Sequence, residues 1–307
     1  MTDLFHLHTL SLGSANSAGL ILLGFMAGTL SGYLGIGGGI VVVPFLNYLG
    51  APMPFAVGTS MAYIAGTTLF ASLRHSQKSN VAFKTGLITA VFMIPAIELG
   101  AQIMKHFSAI APAVVETSVR TGLILLNVYI VTAFFMRAKK SPLTADLPAG
   151  VKSFSWAIPG FGILAGLLSG CLGVGGGVIL VPLYFSVLRF DVRLSIGTSS
   201  FVILLATAYA TISYSMKGSV DYVAALLLIF GAAFGATLGA SAVMRVSDRQ
   251  IKISFASIAG AVGVSLVLKE LGQGRLSLVL LSVVTSAVLL MMLKSYVRAR
   301  TRPPQAR

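Results

Sequence analysis

The sequence predicts an all-α polytopic membrane protein. It is expected to hold two inverted repeats, each a Gly-broken helical hairpin plus three spans, with one extra C-terminal span. Three observations predict this: the composition, an internal duplication, and the placement of Lys and Arg. Of 307 residues, 56 % are hydrophobic and 10 % charged, with a mean hydropathy of +0.92. A water-soluble domain averages about 25 % charged residues. Lipid must therefore solvate much of the surface, and spans of about 20 apolar residues cross it as helices because a helix satisfies its own backbone.

The apolar segments fall at 17–50, 57–75, 82–104, 117–136, 156–188, 196–215, 221–244, 251–268 and 276–293. Met1 to Gly13 carries no Lys or Arg and no cleavage-like small-residue site. No signal peptide is expected, and the first span should act as its own insertion signal. Segments 17–50 and 156–188 are too long for one span, and each is broken by a Gly triplet with a Pro behind it. Gly and Pro are the residues least suited to an uninterrupted helix.

Those two segments are copies of each other. Gly24 to Pro44 recurs as Gly162 to Pro182 with thirteen identical positions, including Gly35, Gly37, Gly38 and Gly39 against Gly173, Gly175, Gly176 and Gly177. One residue out of that register, Gly58-Thr59-Ser60 matches Gly197-Thr198-Ser199, Lys78 matches Lys217, and Leu99-Gly100-Ala101 matches Leu238-Gly239-Ala240. A duplication of this length makes each copy one structural unit. The expected divisions are 1–136 for the first repeat, 137–155 for a cytoplasmic linker, 156–270 for the second repeat, and 271–307 for the extra span and basic tail.

Each long segment is either a single kinked span or a hairpin that returns to its own side. With 137–152 taken as cytoplasmic, hairpins place seventeen Lys and Arg inside and five outside, whereas single spans erase the bias. Cytoplasmic loops collect basic residues, so hairpins are expected. Three spans between the two hairpins then insert the halves upside down relative to each other, a frequent transporter architecture. The N-terminus comes out periplasmic and the C-terminus cytoplasmic, in a bacterial inner membrane. The same rule explains the net charge of +14 and pI near 10.2 without a nucleic-acid partner.

The chemistry is expected at the Gly triplets. A helix that starts after bare glycines presents unpaired N–H groups and its positive dipole end, which together make an anion site. Candidate substrate-binding residues are Gly37, Gly38, Gly39, Thr59, Ser60, Gly175, Gly176, Gly177, Thr198 and Ser199. The hydroxyls are expected to donate to an oxyanion, the competing reading being helix N-caps at the starts of two spans. Gly24, Gly28, Gly32, Gly231, Gly235 and Gly239 read instead as close-packing positions. Glu98 is the one acid inside a predicted span, and is either a proton-coupling candidate or a hydrogen-bond partner for a neighbouring helix. His75 reads as a solvated loop residue, Asp221 as a helix cap and Cys171 as a packing residue. No metal-spaced cluster, catalytic constellation or cofactor motif is read, so neither a cofactor nor an enzyme is expected.

The doubled Gly-x-x-x-Gly-x-x-x-Gly-x-x-Gly-[Ile/Val]-Gly-Gly-Gly-x-x-x-x-Pro segment, each copy followed by Gly-Thr-Ser, resembles the sulfite exporter TauE/SafE family of membrane permeases. The resemblance covers residues 17–295. Lys217-Gly218-Ser219-Val220-Asp221 fits the family's pattern, and the first half departs from it as Lys78-Ser79-Asn80-Val81-Ala82. The resemblance implies a secondary transporter of a sulfur-containing anion, sulfite or an organosulfonate, working as an exporter. The membrane potential, negative inside, favours anion exit by about 2.3 kcal/mol per charge per 100 mV. An anion channel and a non-transporting scaffold are the rival readings. Bare backbone at mid-depth argues against the scaffold.

Overall fold

Gly35 ends the first helix. It sits at φ 70°, in the left-handed region that lets a helix stop without a Cβ clash, and its N–H still reaches the Ser31 carbonyl at 2.7 Å. In the computed structural model, which describes residues 14–111 and 156–301 with scattered positions between 114 and 132, this break separates α1 (Ser14–Leu34) from α2 (Gly39–Tyr48). Two long helices follow, α3 (Met53–Ser76) and α4 (Phe83–Ile110). The expected segment 117–136 and the linker 137–155 lie largely outside the described residues. The second half repeats the order: α5 (Ala157–Leu172), α6 (Gly177–Ser186), α7 (Val192–Met216), α8 (Tyr222–Val243), α9 (Asp248–Glu270) and α10 (Gly274–Thr301). Among the described residues, seven helices are long and apolar enough to cross a bilayer. Large apolar side chains such as Leu87, Val91, Leu226, Phe230, Phe234 and Val283 face outward. So broad an apolar exterior suits lipid and not water.

The helices begin where local chemistry lets them. Asp191 caps α7 by accepting from the Arg193 N–H at 3.2 Å, and Asp221 caps α8 by accepting from the Ala224 N–H at 3.0 Å, as expected of Asp221. A proline in the first turn starts α3. Both α3 and α7 therefore begin before their Gly-Thr-Ser triplets. Thr59, Ser60, Thr198 and Ser199 stand inside helices and are not N-caps.

The long segments are hairpins. The end of α3 touches the end of α1, since His75 Nε2 lies 3.1 Å from the Gly32 carbonyl. Four residues join the end of α2 to the start of α3. The α2 helix therefore runs back toward the side from which α1 came. Ten residues rise only about 15 Å, half the bilayer core. At ten residues each, α2 and α6 are too short to cross by themselves.

Close-packed seams hold the halves together. Gly24, Gly28 and Gly32 of α1 lie against Leu228, Ala232 and Ala236 of α8, while Gly231, Gly235 and Gly239 return the contact to Ile21, Phe25 and Thr29. Rising numbers on both sides make the pair parallel. The matching helix α5 packs in the same way on α4, with Gly162, Gly166 and Gly170 against Thr89, Met93 and Ile97. Small residues let the backbones approach, which is what drives association when lipid is as apolar as the side chains. At the centre α3 packs on α7. Gly58, near the start of α3, meets Ser219 and Tyr214, and Gly197, near the start of α7, meets Asn80 and His75. These corresponding helices run antiparallel. The loops after them share one shape despite their different sequences, because Ser79 adopts φ 56° where Gly218 adopts 67°.

Candidate substrate site at the paired glycine tips

The helices α2 and α6 both start at the centre of the molecule. Their N-cap residues are Gly38 (φ 81°) and Gly176 (φ 76°), neither helix has a side-chain cap, and Gly37 and Gly175 are also left-handed. Such a run of positive φ is open to glycine alone at low cost. Among the described residues, no acceptor pairs with the N–H groups of Gly37, Gly38, Gly175 or Gly176. The chain from Gly35 to Val43 is buried, as is that from Gly173 to Val181.

The two tips lock each other. Ser60 Oγ donates to the Gly173 carbonyl at 3.0 Å, and Ser199 Oγ donates to the Gly35 carbonyl at 2.9 Å. Thr59 Oγ1 accepts from the Asp221 N–H at 2.9 Å, and Thr198 Oγ1 accepts from the Ala82 N–H at 2.9 Å. Each bond occurs once per half, on matching residues. Ser60 and Ser199 therefore spend their protons on the opposite tip in this conformation. Thr59 and Thr198 act as acceptors and keep their protons.

Sequence reading missed Ile64 and Ile203, one turn beyond Ser60 and Ser199 at matching repeat positions. Both are fully buried, and both lie against Gly37 and Gly175. Their side chains close the centre between the tips. The signal that could have found them was the helical spacing from each serine to an isoleucine, present in both copies.

His75 corrects an expectation. It is 1 % exposed in the last turn of α3, where it binds the Gly32 carbonyl, because α3 runs on through residues read as loop. Its repeat partner Tyr214 donates its hydroxyl to the carbonyl of Gly170, the partner of Gly32. Each hairpin is thus latched near its break by the end of a central helix, once by imidazole and once by phenol.

Glu98 stands apart from the tips. It pairs with Lys217 Nζ at 2.8 Å and accepts from Gln102 at 3.0 Å and from the Ser213 hydroxyl. These bonds tie α4 to the end of α7. The pair is largely buried, with 22 % and 14 % of the two side chains exposed. Glu98→Gln should lower stability by roughly 1–2 kcal/mol, between the worth of exposed and buried pairs. Thermal unfolding in detergent checks this, and an unchanged midpoint would show the pair to be idle. Cys171 packs as expected, with Sγ 3.5 Å from the Gly100 carbonyl. No group of His, Cys, Asp and Glu fit to hold a metal occurs among the described residues.

Paired half-length helices inside a bundle of apolar spans, starting from bare N–H groups at the buried centre, fit the class of multi-pass membrane transporters. The model of the family described as "Sulfite exporter TauE/SafE" matches residues 20–266, and the chain belongs to that family. It is 29 % identical over 253 residues to the probable membrane transporter protein YunE of Bacillus subtilis (strain 168), covering 76 % of this chain and 90 % of that protein. It is 28 % identical over 255 residues to YjnA of the same organism, covering 82 % and 100 %. It is 24 % identical over 266 residues to MJ0441 of Methanocaldococcus jannaschii, covering 81 % and 94 %. Both of the latter are also described as probable membrane transporter proteins. No solved structure gives a significant match.

Proposed function

We propose that the chain is a secondary transporter that exports a small sulfur-containing anion, sulfite or an organosulfonate, across the bacterial inner membrane. The observation that carries this reading is the meeting of two uncapped helix N-termini at the buried centre. An anion stripped of water at mid-membrane needs compensation, since an unpaired buried charge is very costly. Neither hairpin carries a Lys or Arg between 17 and 50 or between 156 and 188. Backbone N–H groups and dipoles of Gly37, Gly38, Gly39, Gly175, Gly176 and Gly177 supply that compensation, with Thr59 and Thr198 as hydroxyl donors. Ser60 and Ser199 join them only if the tips separate. The family description supports the choice of sulfite.

The conformation supports alternating access over an open pore. Ile64 and Ile203 fill the centre, and both hairpins are latched. Rocking of one half against the other would expose the tips to each side in turn. The inverted repeats, with the boundaries given above, and the periplasmic N-terminus belong to this proposal; the antiparallel α3 and α7 support them. A proton reaching Glu98 would release Lys217, so coupling to protons, where it occurs, acts in this reading by opening that tie.

Two measurements test the reading. Purified protein should be stabilised against heat by at least one of sulfite, thiosulfate, sulfate, taurine and sulfoacetate, and proteoliposomes should release the same anion. Absence of both effects across the series would sink it. In a Cys171→Ala background, cysteine at Gln273 should label from the periplasm and cysteine at Arg189 should not. Outside labelling at Arg189 would overturn the topology.

A further inference from the structure

We propose that Tyr63 supplies the hydroxyl donor of an asymmetric oxyanion subsite at the α2 tip. This rests on the transport reading and adds the residue that holds the anion. Tyr63 is 0 % exposed, and its hydroxyl has no hydrogen-bond partner. Thr67, one turn further on, gives its own proton to the Tyr63 carbonyl at 2.8 Å, and the phenol makes no hydrogen bond of normal geometry with it. Tyr63 Oη lies 2.7 Å from where a Cβ on Gly38 would stand, at the start of α2 beside the unpaired N–H groups of Gly37 and Gly38. A buried hydroxyl left without a partner carries its full desolvation cost, and native structures seldom keep one without a use.

Two other buried phenols make the contrast. Tyr184 donates to Thr89 Oγ1 at 2.8 Å, and Tyr214 donates to the Gly170 carbonyl. The Tyr33 hydroxyl is also unpartnered, but Tyr33 lies on the α1–α8 seam beside Gly239 and is not among the contacts of either tip. The other tip makes a second contrast. There the position matching Tyr63 is Val202, and the nearest neighbours of a Cβ on Gly176 are the Met93 methyl and Ala165. Polar side-chain chemistry is thus concentrated at one of two otherwise matched tips. A phenol O–H beside an uncapped helix start suits a compact oxyanion. Together they offer one strong, short, charge-assisted O–H bond and weaker N–H bonds beside it. Each chain then holds one anion, on the α2 side, with the α6 tip facing it from across the centre.

The test is calorimetric titration of the full chain in detergent with sulfite. Wild type should bind one sulfite per chain. Tyr63→Phe should weaken binding at least tenfold while leaving the unliganded melting temperature equal or higher, because it removes a group that nothing satisfies. Tyr184→Phe should do the reverse, lowering the melting temperature and leaving sulfite affinity within twofold. Should Tyr63→Phe not fold, 3-fluorotyrosine at position 63 is nearly isosteric and a stronger donor, and it should tighten binding. Unchanged affinity in the Tyr63→Phe or fluorotyrosine protein, or two sulfites per chain, would overturn the assignment to Tyr63 and leave the transport reading standing. A wild-type protein that binds none of sulfite, thiosulfate, sulfate, taurine and sulfoacetate would overturn both.

Discussion

Gly24→Val is expected to abolish the accumulation of folded protein. A Cβ on Gly24 would stand inside the van der Waals surface of the Leu228 carbonyl oxygen and 2.8 Å from both Leu228 C and Cα. These are backbone atoms of α8, and no rotamer change moves them. Accommodation requires α1 and α8 to separate, which opens the matching contacts at Gly28, Gly32, Gly231, Gly235 and Gly239 as well. Overpacking of a core by one side chain typically costs 1–3 kcal/mol, and a backbone clash that unzips an interface exceeds that, at roughly 3–5 kcal/mol. Such a loss consumes much of the stability of a typical domain. Size-exclusion chromatography of the detergent extract checks the result. A monodisperse Gly24→Val protein at wild-type yield would show that the seam is far more compliant than its geometry implies. Gly162→Val, which meets the Thr89 carbonyl and Phe92 on the other seam, is expected to behave alike.

Gly38→Val should eliminate anion binding, and it should also destabilise the fold. The second effect follows because Gly38 sits at φ 81° and a Cβ there falls 2.7 Å from Tyr63 Oη and 3.0 Å from the Ala27 carbonyl. A β-branched residue held at positive φ costs about 1–3 kcal/mol, to which displacement of Tyr63 adds. Gly38→Ala separates the two effects. Its backbone penalty is about 1–2 kcal/mol, small enough for a folded protein to survive, and its methyl still crowds the phenol at the start of α2. Sulfite titration of folded Gly38→Ala should show affinity lowered by more than tenfold. Wild-type affinity in that variant would move the site away from the tip.

Much of the architecture was legible because it is written locally. A Gly triplet breaks a helix wherever it occurs, and two copies of one segment announce two copies of one unit. The packing glycines were legible from their four-residue spacing, and Asp221 from its position before an apolar run. The starts of α3 and α7 were misjudged, since Gly-Thr-Ser resembles a helix start while Pro54 and Asp191 make the true ones. His75 was misread for the same reason: basic neighbours suggested a loop, yet the last turn of α3 carries it under the end of α1.

The sequence by itself determined the membrane class, the duplication, the hairpin breaks and the location of the uncapped helix starts. Length, hydrophobicity and backbone permissiveness are properties of short stretches, and they act before any tertiary contact forms. Only the tertiary structure decided which polar groups are spent and which are left. Ser60 and Gly173 are 113 residues apart, and Ser199 and Gly35 are 164 apart, yet each serine proton goes to that carbonyl. Glu98 finds Lys217 across 119 residues, and the Tyr63 hydroxyl finds nothing. A hydrogen-bonding group has no assigned role until its neighbours are known. In a bilayer those neighbours are set by which helix faces which, and the close approach of backbones along the glycine seams fixes that choice.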